Sequence, residues 1–410
     1  MSLWDGVSTD IKSGEIVKSN SYSYDIVKQL NRGKMANAYH AKRSDGLDIF
    51  LKQTKDPNEY SPQKFANYVK AQHQILNILN TIGSDYVETN YEFFEFSGRH
   101  FQAKAFLSGS DLKAKIWTKN QSEKFDFETR LKVIERLAFL IKKIHDHDLI
   151  HSDLKPEQIF VTPDANYPCG LKLTLIDFDH SIVPSLNIYI PAGTPTWYSP
   201  EHNRENKKVG AYSDIFTLGS MFYTIITGGL KPFADYFESD SKYKSAITKT
   251  RSVKPLNQLM PGFPDNLSNL IQSMLHPNNT KRPSAKEVYD GLIRFKEDLE
   301  KPKYIKIFKG SKSRIITDGV KFTRAMAKSS FGDYQEIFTN QFEIIKDSSG
   351  DWFIKGLSVP KSAKTKDNNT LYFHPTKING KDITNRIIPI EDNMQITIGN
   401  TQLVIKTKNK

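Results

Sequence analysis

The most constraining feature of this chain is the string Leu149-Ile150-His151-Ser152-Asp153-Leu154-Lys155-Pro156-Glu157-Gln158-Ile159-Phe160-Val161, followed by Leu175-Ile176-Asp177-Phe178-Asp179. Asp153 and Asp177 are carboxylates, Lys155 is a cation, and together the two segments read as phosphotransfer machinery.

At 410 residues the chain exceeds what one core usually holds, so two or three domains are expected. One cysteine, Cys169, rules out an intramolecular disulfide framework and a cysteine-based zinc site, and makes the cytoplasm the default compartment. No run of about 20 apolar residues and no basic-then-apolar leader is present, so membrane crossing by those routes is not expected. The net charge of +12 is uneven: residues 301–410 hold 20 Lys and Arg against 10 Asp and Glu, and the rest is nearly balanced at 38 against 36.

Patterning along the chain changes twice. Residues 1–22 are polar apart from Ile16-Val17 and read as an N-terminal arm. Tyr24 to Lys124 is strand-rich with one helical stretch, Ser61 to Asn80, where Phe65, Val69, Ile75, Leu76 and Leu79 recur at helical spacing. From Phe125 to Leu299 helical periodicity dominates, beginning with Phe127, Leu131, Ile134, Leu137 and Ile141. After Lys301-Pro302 short alternating strands take over, as in Phe342-Glu343-Ile344-Ile345, Trp352-Phe353-Ile354 and a pair flanking Gly399-Asn400. Lys361 to Thr370 is polar enough to be a mobile loop.

The two opening segments match, in order, the signature H-R-D-L-x-x-x-N and D-F-G, and the chain resembles a eukaryotic-like Ser/Thr protein kinase. The resemblance implies a bilobal fold over residues 23–302, with a small lobe at about 23–108 and a large lobe at about 109–302. It makes Asp153 the catalytic carboxylate, Lys155 the lysine beside the transferred phosphate, and Asp177 the metal ligand, with Gln158 standing where a second ligand is normally Asn. Ile49-Phe50-Leu51-Lys52 resembles V-A-I-K, so Lys52 is expected on the α- and β-phosphates. The nucleotide loop falls on Asn31-Arg32-Gly33-Lys34-Met35-Ala36, where Gly33 alone keeps a family glycine; Asn31, Gly33 and Ala36, with Ala105 and Leu107 near the hinge, are expected to contact nucleotide. Lys104 falls near the gatekeeper of that hinge. The helix glutamate that usually pairs with the strand lysine is Gln72 here, with Glu59 as a substitute outside the helix. Gly193-Thr194-Pro195-Thr196-Trp197-Tyr198-Ser199-Pro200-Glu201 resembles the substrate-side loop, Glu201 is expected to pair with Arg282, and Asp214 begins a D-x-W-S-L-G match. Ser152 replaces the Arg that often reads an activation-loop phosphate, while Thr194, Thr196 and Ser181 are open to autophosphorylation. His145 and His147 are expected at a solvated helix end rather than on a metal.

Thr376-Lys377-Ile378-Asn379-Gly380-Lys381-Asp382-Ile383, Ile388-Pro389-Ile390, Ile396-Thr397-Ile398-Gly399 and Leu403-Val404-Ile405 resemble the last third of a forkhead-associated (FHA) domain, a β-sandwich that binds phosphothreonine. Its ligand loops depart from that family: Phe338-Thr339-Asn340-Gln341 stands for Ser-Arg-x-His, and His374-Pro375 for Asn-Gly. A phosphorylated or acidic partner held through Arg324, Lys377 or Lys381 competes with a solvated basic face.

The expected fold class is therefore α+β: a bilobal protein-kinase fold followed by a small all-β, FHA-like sandwich over residues 303–410. The expected cofactors are ATP with Mg²⁺ or Mn²⁺. The expected partners are protein substrates, with neither membrane nor nucleic acid among them. The alternative is a pseudokinase scaffold with weak nucleotide binding, favoured by Gln72 and Gln158; Lys52, Asp153 and Asp177 favour the enzyme.

Overall fold

The computed structural model describes residues 10–32, 36–54, 62–116, 125–189, 193–203, 208–233, 239–248, 253–300, 304–332, 337, 340–348, 350–360, 362–364, 370–372 and 374–408. Gly33, Glu59, Phe338 and Thr339 lie outside these residues. The chain forms two compact units, residues 1–293 and 294–410, and the division falls within the helix Ala285–Glu300 rather than at the Lys301-Pro302 composition change.

The first unit opens with an antiparallel sheet in the order β1-β2-β3-β4-β6-β5, formed by β1 (Ile16–Lys18), β2 (Ser23–Arg32), β3 (Ala36–Arg43), β4 (Asp48–Thr54), β5 (Asn90–Phe96) and β6 (Arg99–Ala105). The expected arm is corrected from residue 10 onward. β1 pairs with β2, Ile11 and Val17 are buried in the sheet's core, and the Ile11 amide donates to the Tyr39 hydroxyl at 3.2 Å. The short apolar content of this stretch is enough to cover one edge of a small sheet.

Strand periodicity decides what faces the cleft. Ile49 and Leu51 of β4 and Phe101 and Ala103 of β6 are fully buried on one face. Their neighbours Phe50, Lys52, Gln102 and Lys104 therefore project from the other. The register sets Lys52 opposite Gln102 and Phe50 opposite Lys104. Helix α1 (Pro62–Ile82) covers this second face and buries Ala71, Gln72, Ile75, Leu79 and Ile82, a stripe at helical spacing.

Helices dominate the remainder: α2 (Leu112–Ile116), α3 (Phe127–His145), α4 (Ala211–Thr227), α5 (Asp240–Thr248), α6 (Leu256–Leu259), α7 (Asp265–Met274) and α8 (Ala285–Glu300). Asp126 starts α3 by accepting the Thr129 amide at 2.7 Å, a side-chain cap for an orphan donor. α4 is buried on all sides from Ser213 to Ile226, so it forms the central post of this lobe. It stops at Gly228 (φ 73°), in the left-handed conformation glycine tolerates. A three-stranded sheet, β7 (Ser110–Asp111), β8 (Ile159–Pro163) and β9 (Leu171–Leu175), carries Asp153–Gln158 just before β8 and Asp177 just after β9. The pair β10 (Ile182–Val183) and β11 (Ile188–Tyr189) follows.

In the second unit one antiparallel sheet runs β13 (Lys312–Ile316), β12 (Tyr304–Lys309), β23 (Thr401–Lys408), β22 (Met394–Ile398), β19 (Lys377–Ile378), β20 (Lys381–Asp382). A second runs β14 (Lys321–Phe322), β15 (Phe342–Lys346), β16 (Trp352–Gly356), β21 (Ile387–Pro389). Ile305, Ile396 and Ile405 of the first share one core with Phe322, Phe342 and Ile354 of the second, the arrangement of a sandwich. Two expectations are corrected. The unit is not all-β, because α9 (Arg324–Phe331) starts at Thr323, whose side chain accepts the Met326 amide, and buries Ala327 and Phe331. Part of the Lys361–Thr370 loop is strand, since β17 (Ser362–Lys364) pairs with β18 (Thr370–Tyr372); residues 365–369 lie outside the described residues.

Candidate active site

The loop bearing Asp153 hangs from the buried Asp214 at the start of α4. One Asp214 oxygen accepts the Ser152 amide at 2.9 Å, and the other accepts the His151 amide at 2.9 Å and meets the His145 ring nitrogen at 2.9 Å. Burial raises the Asp214 pKa, but His145, His151 and these hydrogen bonds lower it by more, leaving it below the ordinary carboxylate value. His145, expected at a solvated helix end, is thus mostly buried and serves Asp214; helix periodicity could not show that its face meets α4. Ser152 sits in the left-handed region (φ 64°) and its hydroxyl donates to the His180 carbonyl.

Beyond this anchor, three side chains converge. Asp153 accepts from Lys155 Nζ at 2.6 Å through one oxygen and from the Thr194 hydroxyl at 2.7 Å through the other, and Lys155 also reaches the Thr194 oxygen at 2.8 Å. Asp153 is 11% and Lys155 17% exposed, so the pair is screened from bulk water yet open on one side. A hydroxyl arriving at Asp153 would meet an acceptor and a cation together.

Across the cleft, Lys52 Nζ lies 2.6 Å from an oxygen of Asp177 and 2.6 Å from one of Asp179. Burial pushes the Lys52 ammonium down in pKa, but the two carboxylates raise it by more, to well above the ordinary lysine value. Burial likewise raises Asp177, and Lys52, Lys104 and the Gln158 amide outweigh it, holding the carboxyl below its usual range. Gln158 Nε2 donates to Asp177 at 2.8 Å. Asp177 is itself left-handed (φ 66°), which points its carboxylate into the cleft while Phe178 turns beneath α1, 2% exposed and 4.9 Å from the His151 ring.

Lys104 is a buried lysine, 4% exposed, paired with Glu88 at 2.7 Å and lying 4.0 Å from Asp179. Glu88 was not singled out by sequence, because nothing in its local pattern marks it as the partner of a residue 16 positions away. Gln72 does take the helix position expected for the ion-pair glutamate, but it donates to the Asp179 backbone carbonyl at 3.0 Å and accepts from Gln102 at 3.2 Å.

A cavity of about 360 Å³ joins these groups, its lining including Asn31, Ala36, Phe50, Lys52, Glu88, Lys104, Asp153, Gln158, Asp177 and Asp179. Among the expected nucleotide contacts, Ala105 ends β6 and Leu107 follows it, partly exposed and outside this lining. Among the described residues no cluster of three or more His, Cys, Asp or Glu is placed to hold a metal ion alone. The donor set still fits a hard cation shared with phosphate oxygens: one carboxylate and one side-chain amide at the cavity wall.

The later motifs close the lower side. Glu201 and Arg282, both fully buried, meet in a two-pronged pair at 2.9 and 3.0 Å, and Arg282 also donates to the Tyr212 and His276 carbonyls. His202 bridges Ser199 and the Ser152 carbonyl, tying this segment to the Asp153 loop. Ser181, expected to be open to modification, is fully buried here, because the turn after Phe178 packs its side chain inward. Thr196 stays partly exposed, with its hydroxyl 3.2 Å from Lys231 Nζ.

Residues 24–291 match the family model described as a protein kinase domain. The chain is 26% identical over 271 residues to the serine/threonine-protein kinase ATG1a of Arabidopsis thaliana, covering 66% of this chain and 41% of that protein. It is 26% identical over 285 residues to the Aurora kinase of Schizosaccharomyces pombe, covering 67% and 72%. It is 25% identical over 291 residues to the serine/threonine-protein kinase pkn3 of Myxococcus xanthus, covering 66% and 49%. The chain thus spans less than half the length of the Arabidopsis and Myxococcus relatives.

Proposed function

The chain belongs to the protein kinase domain family, and from that premise we propose that its first unit transfers the γ-phosphate of ATP to serine or threonine hydroxyls of proteins. The observation that carries this reading is one cavity lined by Asp153, Lys52, Asp177 and Gln158, with Lys155 and Thr194 hydrogen-bonded to Asp153.

Asp153 orients the incoming hydroxyl and takes its proton as the new oxygen–phosphorus bond forms and the bond to the ADP oxygen breaks. Lys155 stands beside the moving phosphoryl group, and Lys52 turns toward the α- and β-phosphates. Asp177 and Gln158 would hold Mg²⁺ or Mn²⁺, which supplies charge neutralisation on the β- and γ-phosphates. Thr196, partly exposed, is a better candidate for autophosphorylation than the buried Ser181.

For the second unit we favour an FHA-like docking role. Gln341, at the position of the family's histidine, is buried and donates to the His374 carbonyl at 2.8 Å and Thr376 at 3.1 Å, so it ties together the two loops that a phosphothreonine would visit. Arg324 donates to the Ile337 carbonyl at 2.6 Å, a supporting bond rather than a free phosphate contact. Among the described residues no helix is long and apolar enough to cross a membrane, and a cytoplasmic location rests on the single cysteine.

The test is radiolabelled phosphate transfer from γ-labelled ATP with Mg²⁺ or Mn²⁺, to the chain itself and to a generic basic protein. Transfer lowered about 10²–10⁴-fold by Asp153→Ala, and lost in Asp177→Ala, is the expected result. Nucleotide binding without transfer would favour the scaffold, a reading kept because Gln72 and Gln158 stand where the family carries Glu and Asn.

A further inference from the structure

Helix α1 contains neither Asp nor Glu in its 21 residues. No carboxylate on that helix can therefore hold the strand lysine, whatever its register. Gln72, which occupies the position, is committed elsewhere through both ends of its amide. Lys52 instead has two carboxylate partners from one short segment: Asp177, the metal-ligand candidate, and Asp179, where the family signature carries glycine.

Asp179 is built into its place. It is 9% exposed; its second oxygen lies 3.5 Å from Gln102 Nε2 and 4.0 Å from Lys104 Nζ, and Gln72 holds its carbonyl. A buried carboxylate persists only when paired and hydrogen-bonded. Here the charges alternate: Asp177, Lys52, Asp179, Lys104, Glu88. The otherwise unusual Lys104 thereby has a reason, since it balances Glu88 and the extra carboxylate of Asp179.

We propose that Asp179 is the positioning residue of Lys52, standing in for the missing helix carboxylate, with Gln72 linking α1 to it through the backbone. The inference rests on the kinase reading of this site. When nucleotide and metal engage Asp177, Asp179 remains as the counter-charge that keeps Lys52 aimed at the α- and β-phosphates. The lysine then follows the 177–179 segment, and a swing of α1 reaches it through the Gln72 bond and through Phe178.

The experiment compares wild type, Asp179→Asn, Asp179→Gly, Gln72→Glu and the double variant Gln72→Glu/Asp179→Gly. It reads KM for ATP, KM for the protein substrate, ADP affinity by calorimetry, melting temperature, and the crystal structures of the variants. Either change at 179 is expected to raise KM for ATP and weaken ADP about tenfold or more, as for a lost charged hydrogen bond, with the protein-substrate KM unmoved. The double variant is expected to recover most of that loss, with Lys52 Nζ within 4 Å of the carboxylate introduced at position 72. Unchanged ADP affinity in a folded Asp179→Asn protein, or no recovery in the double variant, overturns the proposal. Should the wild type neither transfer phosphate nor bind ADP, the kinase reading fails. The Asp179→Asn structure then decides the positioning claim separately: Lys52 Nζ shifted from its place between residues 177 and 179 supports it, and Lys52 unmoved overturns it.

Discussion

Asp214 shows how much one side chain holds. Its pKa is depressed in the fold, so the stability it contributes is present above the ordinary carboxylate value near 3.8 and is lost as pH falls through its lower native value. Acid titration followed by circular dichroism should show part of the unfolding moving out of that window in Asp214→Asn, at a cost of about 2–3 kcal/mol at neutral pH from lost charged hydrogen bonds. The Glu201–Arg282 pair obeys a harsher rule because both side chains are fully buried. Removing either partner strands a charge, so Glu201→Ala and Arg282→Ala should each lose about 3–5 kcal/mol in denaturant unfolding. At the metal candidate, Gln158→Ala removes the amide that orients Asp177 and should raise the Mg²⁺ concentration for half-maximal transfer about 10–100-fold, the usual effect of losing a ligand or its support.

Among the elements, the segment linking the two lobes is set by a close approach. Gly109 has φ +150°, and a Cβ there would sit 2.2 Å from the Val161 carbonyl oxygen of β8. No rotamer relieves a clash with backbone, so Gly109→Ala must move Ala105–Asp111 or β8, at a cost of about 1–3 kcal/mol. Weaker ADP binding together with a lower melting temperature is the expected outcome. Helix α1 contains no Asp or Glu and is packed through Ile75 and Leu79, buried over Phe178. Its coupling to chemistry thus passes through Phe178 and Gln72, both on the inner face.

For the whole molecule, the two units each carry their own core, the second a single cluster shared by two sheets. A unit with its own core is expected to fold alone. A chain of residues 294–410 should therefore give β-type circular dichroism and one cooperative melt; a non-cooperative melt would mean its core needs the first unit. The +10 charge of residues 301–410 makes any acidic or phosphorylated partner salt-sensitive, which binding at two ionic strengths would reveal.

What was legible from sequence alone follows from how locally each requirement is encoded. The positions of Asp153 with Lys155, Asp177, Lys52, Asp214 and the Glu201–Arg282 pair could be read from motifs because each stands at a short, fixed spacing from a strand, helix or loop end. Helical periods likewise marked α1 and the start of α3 to within a few residues. Other features escaped because they depend on what faces what across the fold: the Lys104–Glu88 pair, His145 beneath Asp214, Ser181 turned inward, α9 within the sandwich, and the tenth to twenty-second residues joining the sheet. Asp179 lies between the two cases. Its identity was plain in Asp177-Phe178-Asp179, yet only the register of β4 against β6, and a helix without acids above them, turn that carboxylate toward Lys52.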